Sequence, residues 1–212
     1  MKTVPVEFKW HPGFSKEQKQ RSIASLHHSA ETQRGLTRLL EISSKSENHN
    51  GRKLSAFNLT LSDHLLGRGT VETFFQGSKV FEFGGPYNDL YERSSREAKK
   101  DDRLRSSGRL IEFKFGDRQW PLEPKTIFYD WLYINAVQQH PELCEEILKY
   151  EGFTDIEFNP DKAMNCQAYS AALYKSLHRR NLLESALASP EAFQETISEA
   201  GQKSSPAQQS LF

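Results

Sequence analysis

The chain has 212 residues, enough to bury one core of ordinary domain size without requiring a second. Its 28 Lys and Arg balance its 28 Asp and Glu, which excludes a protein that lives by bulk phosphate neutralisation and leaves nucleic acid open only as a substrate. The two cysteines, Cys144 and Cys166, have neither CxxC nor Cys/His spacing, so no disulfide framework, structural zinc or other metal or cofactor is expected.

No apolar run reaches the length of a membrane span, and the start "MKTVPVEFKWHPGF" has no apolar signal region, so a soluble cytoplasmic protein is expected. "TVPVEFKW" alternates Val4, Val6, Phe8 and Trp10 on one face, which predicts a short strand. Ser15 stands three residues before Gln18, a capping pattern for a helix through Ile23, Leu26 and Leu36. His27 and His28 lie on it and read as ordinary surface or satisfied histidines. "LLEISSKSENHNGRKLSAFNLTL" reads as an apolar stretch, a polar loop around Asn50 and Gly51, and a second extended stretch.

"TVETFFQGSKVF", residues 70 to 81, has helical spacing. "FGGPYNDLYERSS" reads as a loop, and "SREAKKDDRLRSSGR" as a polar helix capped by Ser94 or Ser95. "LIEFKFG" alternates Ile111, Phe113 and Phe115 with polar residues, a strand. Two packed helices follow, one in "KTIFYDWLYINAVQQ" and one begun by Pro141 at its first position. "FTDIEF" is a short strand, and "MNCQAYSAALYKSLHRRNLL" a long amphipathic helix. A last helix runs from Ser189 to Gly201. These elements predict a mainly α fold, an orthogonal helical bundle with a small amount of β-sheet. Residues 1–183 are expected to form one catalytic domain with an N-terminal extension, followed by a helix at 184–201 and a flexible tail at 202–212.

Two places could carry chemistry. Along a helix over 70–81, Glu72, Gln76 and Lys79 share a stripe flanked by Phe74, Phe75 and Phe81. Such a stripe is either a solvated face or the floor of a cleft. In a cleft, desolvation would lower the lysine's pKa and raise the acid's, making Lys79 a nucleophile and Glu72 an acid or base. On a strand, Asp155 and Glu157 point to one face roughly 7 Å apart, suited to acid/base work or to gripping ribose hydroxyls. A solvated edge strand would carry the same pair.

The 70–81 segment resembles the Thr-Val-Glu, aromatic, Gln, Lys-Phe helix of the NADAR (NAD- and ADP-ribose-associated) family. "LSAFNL", "REAKKDDRLRSSGR", "RQWPLEPK", "GFTDIEF" and "NCQAYSAALYKSLHRR" are similar to further family segments in the same order, over roughly residues 40 to 180. Ala56 stands where the broad family has Asn, and Gln119 where it has Asp. "EISSKS", "GGPYNDLY" and "TDIEFNP" resemble most the branch encoded beside DarT toxins. That resemblance implies an antitoxin that hydrolyses ADP-ribose from guanine bases of DNA, with ADP-ribose as product and a DarT-type toxin as functional partner. It also implies little sheet in the fold. Glu72, Lys79, Asp155 and Glu157 would be catalytic, and Gln76, Lys99, Arg103, Arg109, Trp120, Lys125 and Asn165 would bind substrate. Lys79 could form a Schiff base, or Glu72 could direct hydrolysis with Lys79 steadying charge. Cleavage of small nucleotide or riboflavin-pathway metabolites, and non-catalytic binding of ADP-ribose or toxin, are the alternatives.

The tail ends in "QQSLF", which resembles the peptide by which bacterial repair proteins dock on the DNA sliding clamp. Gln208 would fill a polar pocket, with Leu211 and Phe212 as anchors, unless the tail folds back on its own core.

Overall fold

A computed structural model describes residues 1–159 and 165–202. In chain order the first half holds α1 (Lys16–Arg34), β1 (Leu39–Glu41), α2 (His49–Lys53), β2 (Thr60–Asp63), β3 (Gly67–Thr70), α3 (Val71–Gly77) and β4 (Lys79–Phe81). A 3₁₀ turn (Asn88–Glu92) leads to α4 (Ser95–Lys100), α5 (Arg103–Ser106), β5 (Leu110–Phe115) and β6 (Arg118–Trp120). The rest comprises α6 (Ile127–Gln138), α7 (Pro141–Lys149), β7 (Gly152–Thr154), α8 (Gln167–Arg179), α9 (Leu183–Leu187) and α10 (Pro190–Gln202).

Helix α6 is the hub. Its buried residues, Ile127 to Ile134 with Ala136 and Val137, surround the axis, as expected of a helix enclosed on every side. Around it lie α3, α7 and α8, the hairpin β2–β3, and the antiparallel sheet β4-β5-β6. Phe75, Phe113, Phe115, Trp120, Phe128 and Trp131 interleave between that sheet and α6. Phe193 of α10 is also fully buried in this core.

The expectation of an orthogonal helical bundle is corrected. The described chain is 49% helical and 14% strand, in three separate small sheets, and the fold is mixed α/β. Strands of three or four residues hide in sequence because they are defined by distant partners. β1 and β7 pair in parallel, Leu39 with Gly152 through Glu41 with Thr154, across more than a hundred residues. β4 pairs with β5, Lys79 opposite Phe113, so the helix expected over 70–81 ends at Gly77 and its last residues are strand.

Other local expectations shift too. Residues 1–12 form no strand, because side chains of α1 take up their main-chain hydrogen bonds. Glu7, Lys9 and His11 N–H donate to Gln33, Ser25 and Ser22. The polar loop at Asn50 is helix α2, capped by Asn48, with Gly51 packed so closely that a Cβ would lie 2.2 Å from the Glu41 carbonyl oxygen. Asp101 breaks the expected polar helix into α4 and α5. His27 is satisfied, its Nε2 lying 2.9 Å from Thr154 Oγ1.

Candidate active site

Thr70 and Thr73 form a reciprocal cap at the start of α3, the Thr70 side chain taking the Thr73 N–H and the Thr73 hydroxyl taking the Thr70 N–H. This fixes Glu72 in the first turn, where its own N–H donates to the Ala56 carbonyl at 3.0 Å. One turn later Gln76 Nε2 donates to Glu72 Oε1 at 2.9 Å. Gly77 lets Tyr91 close against the helix, since a Cβ there would meet its ring at 2.5 Å. Ser78 then turns the chain into β4, accepting the Lys114 N–H at 2.7 Å.

Lys79 therefore starts a strand, yet its side chain returns to α3. Its Nζ donates to Gln76 Oε1 at 2.7 Å and sits 4.8 Å from the centre of the Phe75 ring. Glu72 and Gln76 are buried and Lys79 is half-buried. The polar stripe thus faces the interior, and Lys99, 57% exposed and 3.9 Å from Glu72 Oε1, leads it to the surface. Burial lowers the Lys79 pKa to about 8, Glu72 opposing the shift and Lys99 adding to it.

A second limb is joined to the first through the main chain. Ala56 N–H donates to Gln167 Oε1 at 2.5 Å, and Gln167 Nε2 donates to Asp155 Oδ2 at 3.0 Å. Burial raises the Asp155 pKa, with the Gln167 hydrogen bond pulling it back. Behind it, Glu41 holds the chain on either side: Thr154 Oγ1 donates to its carboxylate at 2.5 Å and Ile156 N–H at 2.9 Å. Burial likewise raises Glu41. Between the limbs stands Tyr129 of α6, edge-on to Phe75 with ring centres 5.2 Å apart. Burial raises its phenol well above the ordinary value, and the charges of Glu72 and Asp155 push it the same way.

Of the residues singled out from sequence, Glu72, Gln76, Lys79, Lys99 and Asp155 are brought together. Glu157 is not: β7 ends at Thr154, Asp155 to Glu157 form a turn, and Glu157 points out to Lys19 at 3.3 Å. Arg103 is occupied by Asp89 and Asp101, at 2.7 and 2.8 Å, and Arg109 pairs with Glu82 at 3.3 Å. Lys125 is exposed. Trp120 is 1% exposed and wedged against Phe128 and Trp131, so the stacking role suggested for it is corrected to a core role. Asn165 precedes α8, its Oδ1 buried and without a hydrogen-bond partner among the described residues. Gln208, Leu211 and Phe212 lie outside the described residues.

Sequence reasoning missed Glu41, Tyr129, Asp130 and Gln167. Glu41 and Asp130 did leave a signal, each a lone acid inside an apolar run. Asp130 is buried beneath the site, accepting from Ser170 at 2.6 Å and Thr126 at 2.7 Å, and burial lifts its pKa to about 6.

A buried acid, an amide and an amine of lowered pKa lie in one hydrogen-bonded line on a mixed α/β frame, and groups so arranged can serve covalent or acid/base chemistry. The chain belongs to the DarT1-associated NADAR antitoxin family, whose family model matches residues 1–207. A toxin partner goes with that family. No curated protein matches the chain. Among the described residues, no helix is long and apolar enough to cross a membrane.

Proposed function

We propose that this antitoxin is an N-glycosidase that hydrolyses ADP-ribose from guanine bases of DNA and so reverses a DarT-type toxin. The observation that carries the reading is Lys79, a half-buried amine with a pKa of about 8, hydrogen-bonded through Gln76 to a buried carboxylate. A surface lysine would be almost wholly protonated at neutral pH, whereas burial favours the free amine of Lys79.

The neutral amine attacks the anomeric carbon of the ribose attached to guanine. The carbon–nitrogen bond to guanine breaks, and its electron pair stays on the leaving nitrogen, which takes up a proton. Loss of a proton from the lysine adduct and opening of the ribose ring give an iminium, and water added to its carbon releases ADP-ribose and restores the amine. Glu72 carries these protons, and Gln76, hydrogen-bonded to both, holds it in register with Lys79. Lys99, at the surface end of the line, faces the side from which an anionic substrate would arrive.

The substrate class is tested with single-stranded oligonucleotides carrying ADP-ribose on guanine or on thymine, beside nucleosides and riboflavin-pathway intermediates. Release from guanine alone is expected. Turnover of the small metabolites without release from the oligonucleotide would replace this reading with a metabolic one.

A further inference from the structure

Tyr129 is 5% exposed, and its hydroxyl has no hydrogen-bond partner among the described residues. The hydroxyl is not among the fully buried atoms of the described residues that lack a partner, which are Trp120 Nε1, Trp131 Nε1 and Asn165 Oδ1, so it opens to solvent and can donate to a ligand that displaces water. Its neighbours place it at the reacting centre. Its ring packs edge-on against Phe75, the same ring over which the Lys79 amine sits. Tyr133 stacks alongside and is anchored by its own hydroxyl, which donates to the Leu54 carbonyl at 2.8 Å, so Tyr129 has a firm backing.

Asp155 has spare capacity as well. Its Oδ1 accepts the Glu157 N–H, its Oδ2 accepts Gln167 Nε2, and the Gln167 main chain adds a third bond, which leaves room for one more. Each carboxylate oxygen can accept a second. A donor beside a carboxylate suits neutral hydroxyls, because the carboxylate would repel a phosphate.

Resting on the glycosidase reading, we infer that Tyr129 and Asp155 grip the ribose whose anomeric carbon faces Lys79. Tyr129 donates to the 2-oxygen, next to the anomeric carbon, and Asp155 accepts from the 2-hydroxyl. The reacting sugar is thereby fixed between Lys79 and Asp155, and a substrate lacking the 2-hydroxyl is discriminated against.

The test is calorimetric binding of ADP-ribose, and of its analogue lacking that 2-hydroxyl, to wild type and Tyr129→Phe. The variant should bind ADP-ribose about fivefold to tenfold more weakly, the size of one hydrogen bond. With the deoxy analogue the two proteins should bind alike. Because the hydroxyl holds nothing in the protein, the melting temperature of Tyr129→Phe should equal or exceed that of wild type. Unchanged affinity, an equal loss for both ligands, or a clearly lower melting temperature would overturn the grip while leaving the glycosidase reading intact. No binding of either ligand by wild type would overturn both.

Discussion

Replacing Lys79 by Met should stabilise the protein while abolishing its activity. The folded-state pKa of about 8 lies well below the ordinary lysine value of 10.5, so the charged form is disfavoured by burial. That difference corresponds to about 3 kcal/mol. Met also deletes the hydrogen bond to Gln76 Oε1, worth about 1 kcal/mol, leaving a net gain near 2 kcal/mol at pH 7. For a chain of this length the gain corresponds to roughly 4–8 °C in melting temperature. The gap should depend on pH with a definite sign. Below pH 8 the amine is protonated in both folded and unfolded chains and the penalty is constant. Between about 8 and 10.5 the unfolded chain holds the proton and the folded chain does not, so wild type gains stability with rising pH and the gap to Lys79→Met closes. Denaturant unfolding of both proteins from pH 7 to 10 measures this. A variant less stable than wild type at pH 7, or a gap that does not narrow, would refute the buried-amine account.

Glu41→Ala should destabilise the chain by about 2–3 kcal/mol, because it strips the acceptor from Thr154 and from the buried Ile156 N–H, and urea unfolding reads this directly. Glu41→Gln keeps an acceptor oxygen and should lose less than half as much. Gly51→Ala places a methyl group 2.2 Å from the Glu41 carbonyl oxygen and 2.5 Å from Ser46 Oγ, and should cost about 1–3 kcal/mol in the same assay. Trp120→Phe should retain turnover at a reduced melting temperature, as a core residue would. Normal stability with lost substrate affinity would instead restore its role in stacking. On its acid side, the pH–rate profile should rise with an apparent pKa near 8 as Lys79 loses its proton.

Where a signal is local, the sequence was readable. Ser15 and Ser94 cap helices as expected, Pro141 begins α7, and the alternation from Leu110 to Phe115 is strand β5. Glu72, Gln76 and Lys79 were grouped from helical spacing, and the group exists, although Lys79 reaches it from a strand. The end of α3 escaped notice because it depends on β5 pairing with Lys79 from thirty-four residues away. The Asp155/Glu157 pairing failed because Glu41, distant in sequence, captures the Thr154 hydroxyl and the Ile156 N–H and turns the chain after Thr154. Tyr129 was invisible for a different reason. It lies in an aromatic helix buried on all sides, and nothing in its spacing separates it from the core residues beside it.

The most direct test is borohydride trapping during turnover of single-stranded DNA carrying ADP-ribose on guanine, with the adduct located by peptide mass spectrometry. The account predicts a reduced ADP-ribose adduct on Lys79, together with release from guanine that is lost in Lys79→Ala. Absence of an adduct, with full release by Lys79→Arg, would contradict it.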